Sequence, residues 1–272
     1  MPSFSLGRKI KSIFNFVLPS LIRIFVPMIS KGQIKYVKQL EMKKHRKSEG
    51  AFVAEGPKVV GDLLNAGFTP KIIFATEQWK DNSHAAQLVT DEELRKVSFL
   101  QHPQQVLAVF NMRDHLLPSA VSPLALALDG IQDPGNLGTI IRVADWFGLT
   151  TIYCSTDTVD AWSPKVVQAT MGSIARVDII YTDLVQLLSK AEVPVYGTLL
   201  DGENIYEKTL APQGIIVMGN EGNGISQAVR PLLTQHLLIP QYHEGAESLN
   251  VAIATAITCA EFRRQGNLKI KK

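Results

Sequence analysis

From residue 124 onward the chain repeats one pattern. Short, nearly continuous apolar runs bounded by turn residues occupy 124–128, 151–154, 177–181, 195–200, 215–218 and 237–239. They lack the apolar/polar alternation of a strand with one wet face, so they predict strands buried on both sides. Helical spacing between them predicts helices over 137–147, 164–171 and 226–233. A last helix is expected over 248–264; apolar on most sides, it has to be covered by its own fold or by a second subunit. Strands alternating with helices place this region in the parallel-sheet α/β class. Upstream, Ile34, Val37 and Leu40 recur at helical spacing within a lysine-rich helix over 33–47. Apolar runs at 51–54, 71–75 and 106–112, with helical segments at 57–65 and 93–96, complete a smaller α/β unit. The chain then divides into an extension (1–29), a small domain (30–112), a linker without clear period (113–123) and a main domain (124–272).

Composition sharpens the picture. With 46% hydrophobic and 19% charged residues among 272, the chain is globular, not disordered, collagenous or coiled-coil. Its two cysteines, Cys154 and Cys259, are too few for a disulfide framework and lack zinc-site spacing, so they read as buried, reduced thiols of a cytoplasmic protein. The net charge of +3 conceals a division: residues 1–47 hold eleven Lys/Arg against Glu41 alone. Lys11, Pro19, Arg23 and Pro27 interrupt the apolar stretch 10–29, which makes it a poor membrane-spanning helix. Three readings stand open for 1–27: an inert extension upstream of Met28, a helix on a membrane surface or partner, or a targeting segment. The basic helix 33–47 is either a solvated face or a phosphate-facing strip carrying Lys35, Lys38, Lys43, Lys44, Arg46 and Lys47.

Three segments that carry polar chemistry follow expected strands, where open α/β sheets place ligands. In the first, Asn136 stands ready to cap the helix that carries Arg142. In the second, Gly219, Gly222 and Gly224 permit close backbone approach to a ligand around Glu221, but in neither the dinucleotide nor the P-loop spacing. In the third, Ser248 can cap the last helix and leave Asn250 in its first turn, while His243, Glu244 and Glu247 supply neither ligand count nor second shell for a metal. Taken singly, each is also explained as a turn with a cap.

In this order and at these intervals, Asn136-x-Gly138-x-x-x-Arg142, Gly219-x-Glu221-Gly222-x-Gly224-Ile225 and Ser248-Leu249-Asn250-Val251-Ala252 resemble the three motifs of the SpoU/TrmH family of RNA 2'-O-ribose methyltransferases, within the SPOUT superfamily. The segment from Val167 to Ser173 is also similar to that family. Between Pro240 and Ser248 the chain is one residue longer than the family pattern, with Gln241 at a position commonly apolar. The resemblance implies a fold with a C-terminal trefoil knot, a homodimer whose active site draws on both subunits, and S-adenosylmethionine held near Gly197, Thr198, Leu199, Gly219, Gly222, Ile239 and Leu249. It also implies Arg142 as the catalytic arginine, with Asn136, Glu221, Ser248 and Asn250 binding the ribose and orienting Arg142 and the loops. Residues 30–112 resemble a ribosomal-protein-like RNA-binding domain, which favours ribosomal RNA as substrate. Transfer RNA, or a non-catalytic RNA-binding factor on the same fold, are the alternatives. Because guanidinium has a pKa of about 12 or more, arginine is a weak candidate for the base.

Overall fold

The computed structural model describes residues 28–81, 83–113, 123–243, 245 and 248–266. The expectations for residues 1–27, for most of the linker and for Glu244 and Glu247 lie outside these.

In the small domain, α1 (Lys31–Gln39) begins at a capping box in which Ser30 and Gln33 satisfy each other's backbone N–H groups. The helix expected over 33–47 is two helices, because α1 stops at Leu40 and α2 (Lys43–Glu49) starts afresh after Met42. The reason is Arg46: its guanidinium donates to the carbonyls of Leu40 (2.7 Å) and Glu41 (2.6 Å), which a continuous helix would have kept for itself. Then follow β1 (Ala51–Glu55), α3 (Pro57–Asn65), β2 (Pro70–Ala75), β3 (Gln87–Leu88), α4 (Asp91–Val97) and β4 (Val106–Asn111), whose strands form a sheet in the order β1-β4-β2-β3.

The main domain runs β5 (Leu124–Asp129), α5 (Pro134–Trp146), β6 (Thr151–Cys154), α6 (Pro164–Ala169), β7 (Asp178–Tyr181), α7 (Leu184–Leu188), β8 (Val195–Asn204), β9 (Gly214–Gly219), β10 (Gln235–Leu238) and α8 (Val251–Gln265). Its six strands are parallel in the order β10-β8-β9-β5-β6-β7, and β5 is buried at every position, as a strand covered on both faces must be. The helix expected over 226–233 is absent; turns and one 3-10 turn (Arg230–Leu232) take its place. Pro231 removes a backbone donor in the middle of that short stretch, so an α-helix cannot propagate through it.

Helices α5 and α8 lie side by side and parallel. At one end Asn250 meets Asn136, and at the other Arg263 donates to the carbonyls of Phe147 (2.6 Å) and Gly148 (3.0 Å). On its other flank α5 meets α6 so closely that a Cβ on Gly138 would sit 2.4 Å from that of Ala169. Glycine at 138 therefore follows from helix packing.

The two domains share a core. Trp162 of the main domain inserts among Phe52, Phe68 and Phe110 of the small one, with the Phe52 ring centroid at 4.6 Å and that of Phe68 at 6.4 Å. Around it, Arg46 reaches Asp160 (Nε to Oδ2, 3.0 Å), and Arg176 bridges Asp145 (2.8 Å) and Asp62 (3.2 Å). Cys154 and Cys259 are free and buried; burial pushes the Cys259 thiol up to about 12, nearby Arg263 notwithstanding, and raises that of Cys154 as well. Neither presents a thiolate.

A candidate RNA methylation site at the ends of β5, β9 and β10

The three motif segments meet at the C-terminal edge of the parallel sheet. Asp133, not Asn136, caps α5: its Oδ1 accepts from the Asn136 N–H at 2.7 Å, and Pro134 stands at the first helical position, where a missing donor costs nothing. This corrects the cap expected at Asn136, and it leaves the Asn136 side chain at work elsewhere. Asn136 Nδ2 donates to Glu221 Oε1 at 2.9 Å, and Asn250 Nδ2 donates to Asn136 Oδ1 at 2.9 Å. Asn250 is itself the cap of α8, its Oδ1 accepting from the N–H groups of Ala252 (2.9 Å) and Ile253 (3.3 Å). The cap expected at Ser248 thus falls two residues later; Ser248 is exposed and makes no hydrogen bond with another described residue.

The direction of this relay is dictated. A carboxylate only accepts, so Asn136 must turn its amide nitrogen to Glu221 and its oxygen to Asn250. Glu221 also accepts from the backbone N–H groups of Gln132 and Asp133, both at 3.3 Å. Partial burial raises its pKa, but the Asn136 amide and the backbone N–H groups of Glu221 itself, Gln132 and Asp133 outweigh that and hold it below the ordinary glutamate value. At neutral pH it is an ionised, fully engaged acceptor.

Arg142 is exposed and makes no hydrogen bond or ion pair with another described residue. Six residues along α5 carry it about 9 Å down the axis and roughly a third of a turn away from Asn136. One chain's Arg142 and its Asn136–Glu221 pair therefore face different directions. One turn on from Arg142, Trp146 is 85% exposed; on the adjoining α8, Ile253 is 52% exposed and Ala260 is also exposed.

Of the residues expected near a cofactor, Gly219 and Gly197 answer first to internal packing. A Cβ on Gly219 would lie 2.2 Å from the Gly224 carbonyl carbon, and one on Gly197 2.4 Å from Leu233 Cδ1. Gly222 faces open space beyond its neighbour Asn220. Along β8 the pairing with β10 jumps from Gly197–His236 to Glu203–Leu237, and pairing with β9 ends at Gly197. Between Gly197 and Glu203, β8 therefore runs out of register with both neighbouring strands. Thr198 holds this stretch through its hydroxyl, 3.4 Å from the Val217 carbonyl; Leu199 and Ile239 are half-buried, and Leu249 is half-exposed. A register break beside apolar side chains, without a phosphate loop, fits a nucleoside with an uncharged edge.

Two pins escaped the sequence reading. Asn220 donates to the Gly130 carbonyl (2.7 Å) and accepts from Gly222 and Asn223, and Asp129 Oδ2 accepts from the Ser226 N–H at 2.7 Å. The signal was an Asn two residues before a glycine, an Asx-turn signature.

The basic strip divides. Lys35, Lys44 and Lys47 are exposed, and exposed Lys43 holds its Nζ 5.8 Å from the Tyr181 ring. Lys38 and Arg46 have partners within the chain. Lys38 Nζ donates to the Ser98 carbonyl and lies 4.7 Å from the Phe99 ring, and Arg46 is 2% exposed and committed to Asp160 and the α1–α2 break. Both cations are consumed in holding the fold.

Residues 123–260 match the SpoU rRNA Methylase family. The chain belongs to that family. Residues 31–108 match the MRM3-like substrate binding domain. Among curated relatives, the 23S rRNA (guanosine(2553)-2'-O)-methyltransferase RlmP of Bacillus subtilis is 31% identical over 240 residues, covering 85% of this chain and 96% of its own. Among solved structures, a TrmH-family protein from Porphyromonas gingivalis superposes with a TM-score of 0.81 at 41% identity, over 88% of this chain and all of its own. An AdoMet-bound rRNA methyltransferase from Sinorhizobium meliloti follows at 0.77 and 30%, over 88% and 96%. Among the described residues no helix is long and apolar enough to cross a membrane.

Proposed function

We propose that this SpoU-family chain transfers a methyl group from S-adenosylmethionine to a ribose 2'-hydroxyl of ribosomal RNA. The observation that carries the reading is the relay from Asn250 through Asn136 to Glu221, which joins three motifs up to 114 positions apart into one polar surface at the start of the helix that carries Arg142. Relatives named as rRNA 2'-O-methyltransferases and an AdoMet-bound neighbour support the substrate and the donor.

S-adenosylmethionine, when bound, supplies an electrophilic sulfonium methyl. The out-of-register stretch 198–202, with Gly197, Gly219, Gly222, Ile239 and Leu249 around it, would hold the donor. The chain's own task is alignment, because placing the 2'-hydroxyl in line with the methyl can contribute roughly 7–11 kcal/mol in the best intramolecular cases. Asn136 and Asn250 present fixed amides to the ribose, and Ser248 an exposed hydroxyl. Glu221 locks Asn136 in place; an engaged carboxylate with a lowered pKa is a poor base for an alcohol. Arg142 positions the target phosphate and stabilises the developing alkoxide while the 2'-hydroxyl proton passes to solvent.

Because Arg142 points away from the Asn136–Glu221 pair of its own chain, the working site is a homodimer in which each subunit's arginine serves the other's relay. Exposed Trp146, one turn from Arg142, with exposed Ile253 and Ala260 on the adjoining α8, would give that interface its apolar part. The trefoil knot implied by the motif resemblance belongs to this same reading.

The test is methyl transfer from tritiated S-adenosylmethionine to ribosomal RNA from a strain lacking the gene, with Arg142→Ala in parallel. Label at a single ribose, lost in the variant, is expected. Donor binding without transfer to any RNA would refute catalysis and leave a binding factor.

A further inference from the structure

A second site lies on the opposite flank of α5. Between the domains is a cleft of about 580 Å³, within the roughly 300–1,000 Å³ range of small-ligand sites. Phe99 and Leu100 of the small domain face Pro134, Lys165 and Gln168 of the main domain across it. The Lys165 ammonium is exposed and the Gln168 amide half-buried, and neither side chain bonds to another described residue. Two carboxylates also line the space. Glu55 is already an acceptor for the Ser98 hydroxyl and the Phe99 N–H, and Glu41 sits exposed at the rim. Gln168 and Ala169 belong to the segment 167–173 that resembles the family, yet they have no part in the relay.

We propose that this cleft receives an unpaired nucleotide of the substrate RNA, a close sequence neighbour of the one methylated. The inference rests on the RNA reading above and adds a specificity site to it. An aromatic ring and apolar wall for a base, an uncommitted amide for its edge and an uncommitted cation for its phosphate are the means by which proteins hold single-stranded nucleotides. Glu41 at the rim offers an acceptor to a base N–H.

Position gives the same occupant. Exposed Lys43, Lys44 and Lys47 begin two residues after Glu41, so the basic strip leads to the rim. At the other end Pro134 precedes Asn136 by two residues, so cleft and relay flank the start of α5 about one helix diameter, roughly 10–12 Å, apart. Close neighbours of an unstacked strand span that gap. The shared Trp162 core and the Arg46–Asp160 pair keep the two walls in register.

The experiment measures methyl transfer to the same ribosomal RNA, with KM and kcat separated, for the wild type, for Lys165→Ala/Gln168→Ala and for Leu100→Trp, which fills the cleft. A photoreactive benzoylphenylalanine placed at position 100 maps the RNA contact. Both variants should raise KM by about tenfold with kcat changed less than about twofold, the pattern of lost uniform binding. Donor affinity should be unchanged, and the crosslink should fall on one nucleotide near the methylated ribose. KM within twofold of wild type in Lys165→Ala/Gln168→Ala, a loss confined to kcat, or crosslinks scattered over the RNA would overturn the cleft assignment while the methyltransferase reading stands. If the wild type labels no RNA, both fall together.

Discussion

Asn250 performs two tasks with two different atoms, and substitution can separate them. Its oxygen caps α8 and its amide nitrogen orients Asn136. Asn250→Asp keeps the cap and places negative charge at the positive end of a helix, worth about 0.3–1 kcal/mol in its favour. It removes the Asn250 amide that donates to Asn136 Oδ1, and Asn136 cannot rotate to compensate, because its oxygen would then face the Glu221 carboxylate. Leaving a partly buried amide unpaired costs about 1–3 kcal/mol, and the half-exposed setting places this case near the lower bound. At 1.36 kcal/mol per decade, kcat/KM should fall about tenfold. Asn250→Ser should do the same without a charge change, since serine still caps. Asn250→Ala loses both tasks, so it should show the same loss of activity plus about 1 kcal/mol of stability, or about 2–4 °C in Tm. Thermal melts beside steady-state methyl transfer separate the two effects. If Asn250→Asp retains wild-type kcat/KM, the relay is not what orients the site; if Asn250→Ala melts with Asn250→Asp, the Asn250 oxygen is not what caps α8.

The remaining predictions address other parts of the structure. Arg142→Ala should lower kcat by about 10²–10³ with Tm unchanged, since the side chain stabilises charge in the reaction and contacts no other described residue; an intact rate would remove it from the mechanism. In Gly219→Ala the new methyl would meet backbone at 2.2 Å, so calorimetry should show loss of donor binding and melting a destabilisation of about 1–3 kcal/mol. Glu221 has a folded pKa below its ordinary value of 4.5, so its contribution to stability is present above that value and is lost as pH falls through the folded pKa. On acidification through that window the wild type should lose more Tm than Glu221→Gln, and parallel curves would contradict the assignment. Arg46→Ala should cost about 3–5 kcal/mol by stranding Asp160 while leaving the salt slope of RNA binding unchanged, whereas Lys44→Ala should lower that slope by about 0.7–0.9 with stability intact.

The sequence by itself determined the class of the fold and the identity of the chemistry. Strands buried on both faces must be apolar throughout, so β5, β6 and β9 were legible as runs, and alternation with helices made the sheet parallel. The three motifs were legible because their residue types and spacing are specific even without knowledge of where they meet. Tertiary structure decided what depends on partners far along the chain. Which asparagine caps a helix and which carries the relay turned on Asp133 standing before Pro134, and on Asn136, Glu221 and Asn250 converging from three loops. The helix expected over 33–47 broke because Arg46 takes the carbonyls at its bend, and it takes them because Asp160, 114 residues away, holds its other face. Lys38 and Arg46 looked the same as their neighbours in sequence. Only the burial of one, and the capture of the other by Ser98 and Phe99, removed them from the basic surface, since a cation's availability is a property of its surroundings and not of its type.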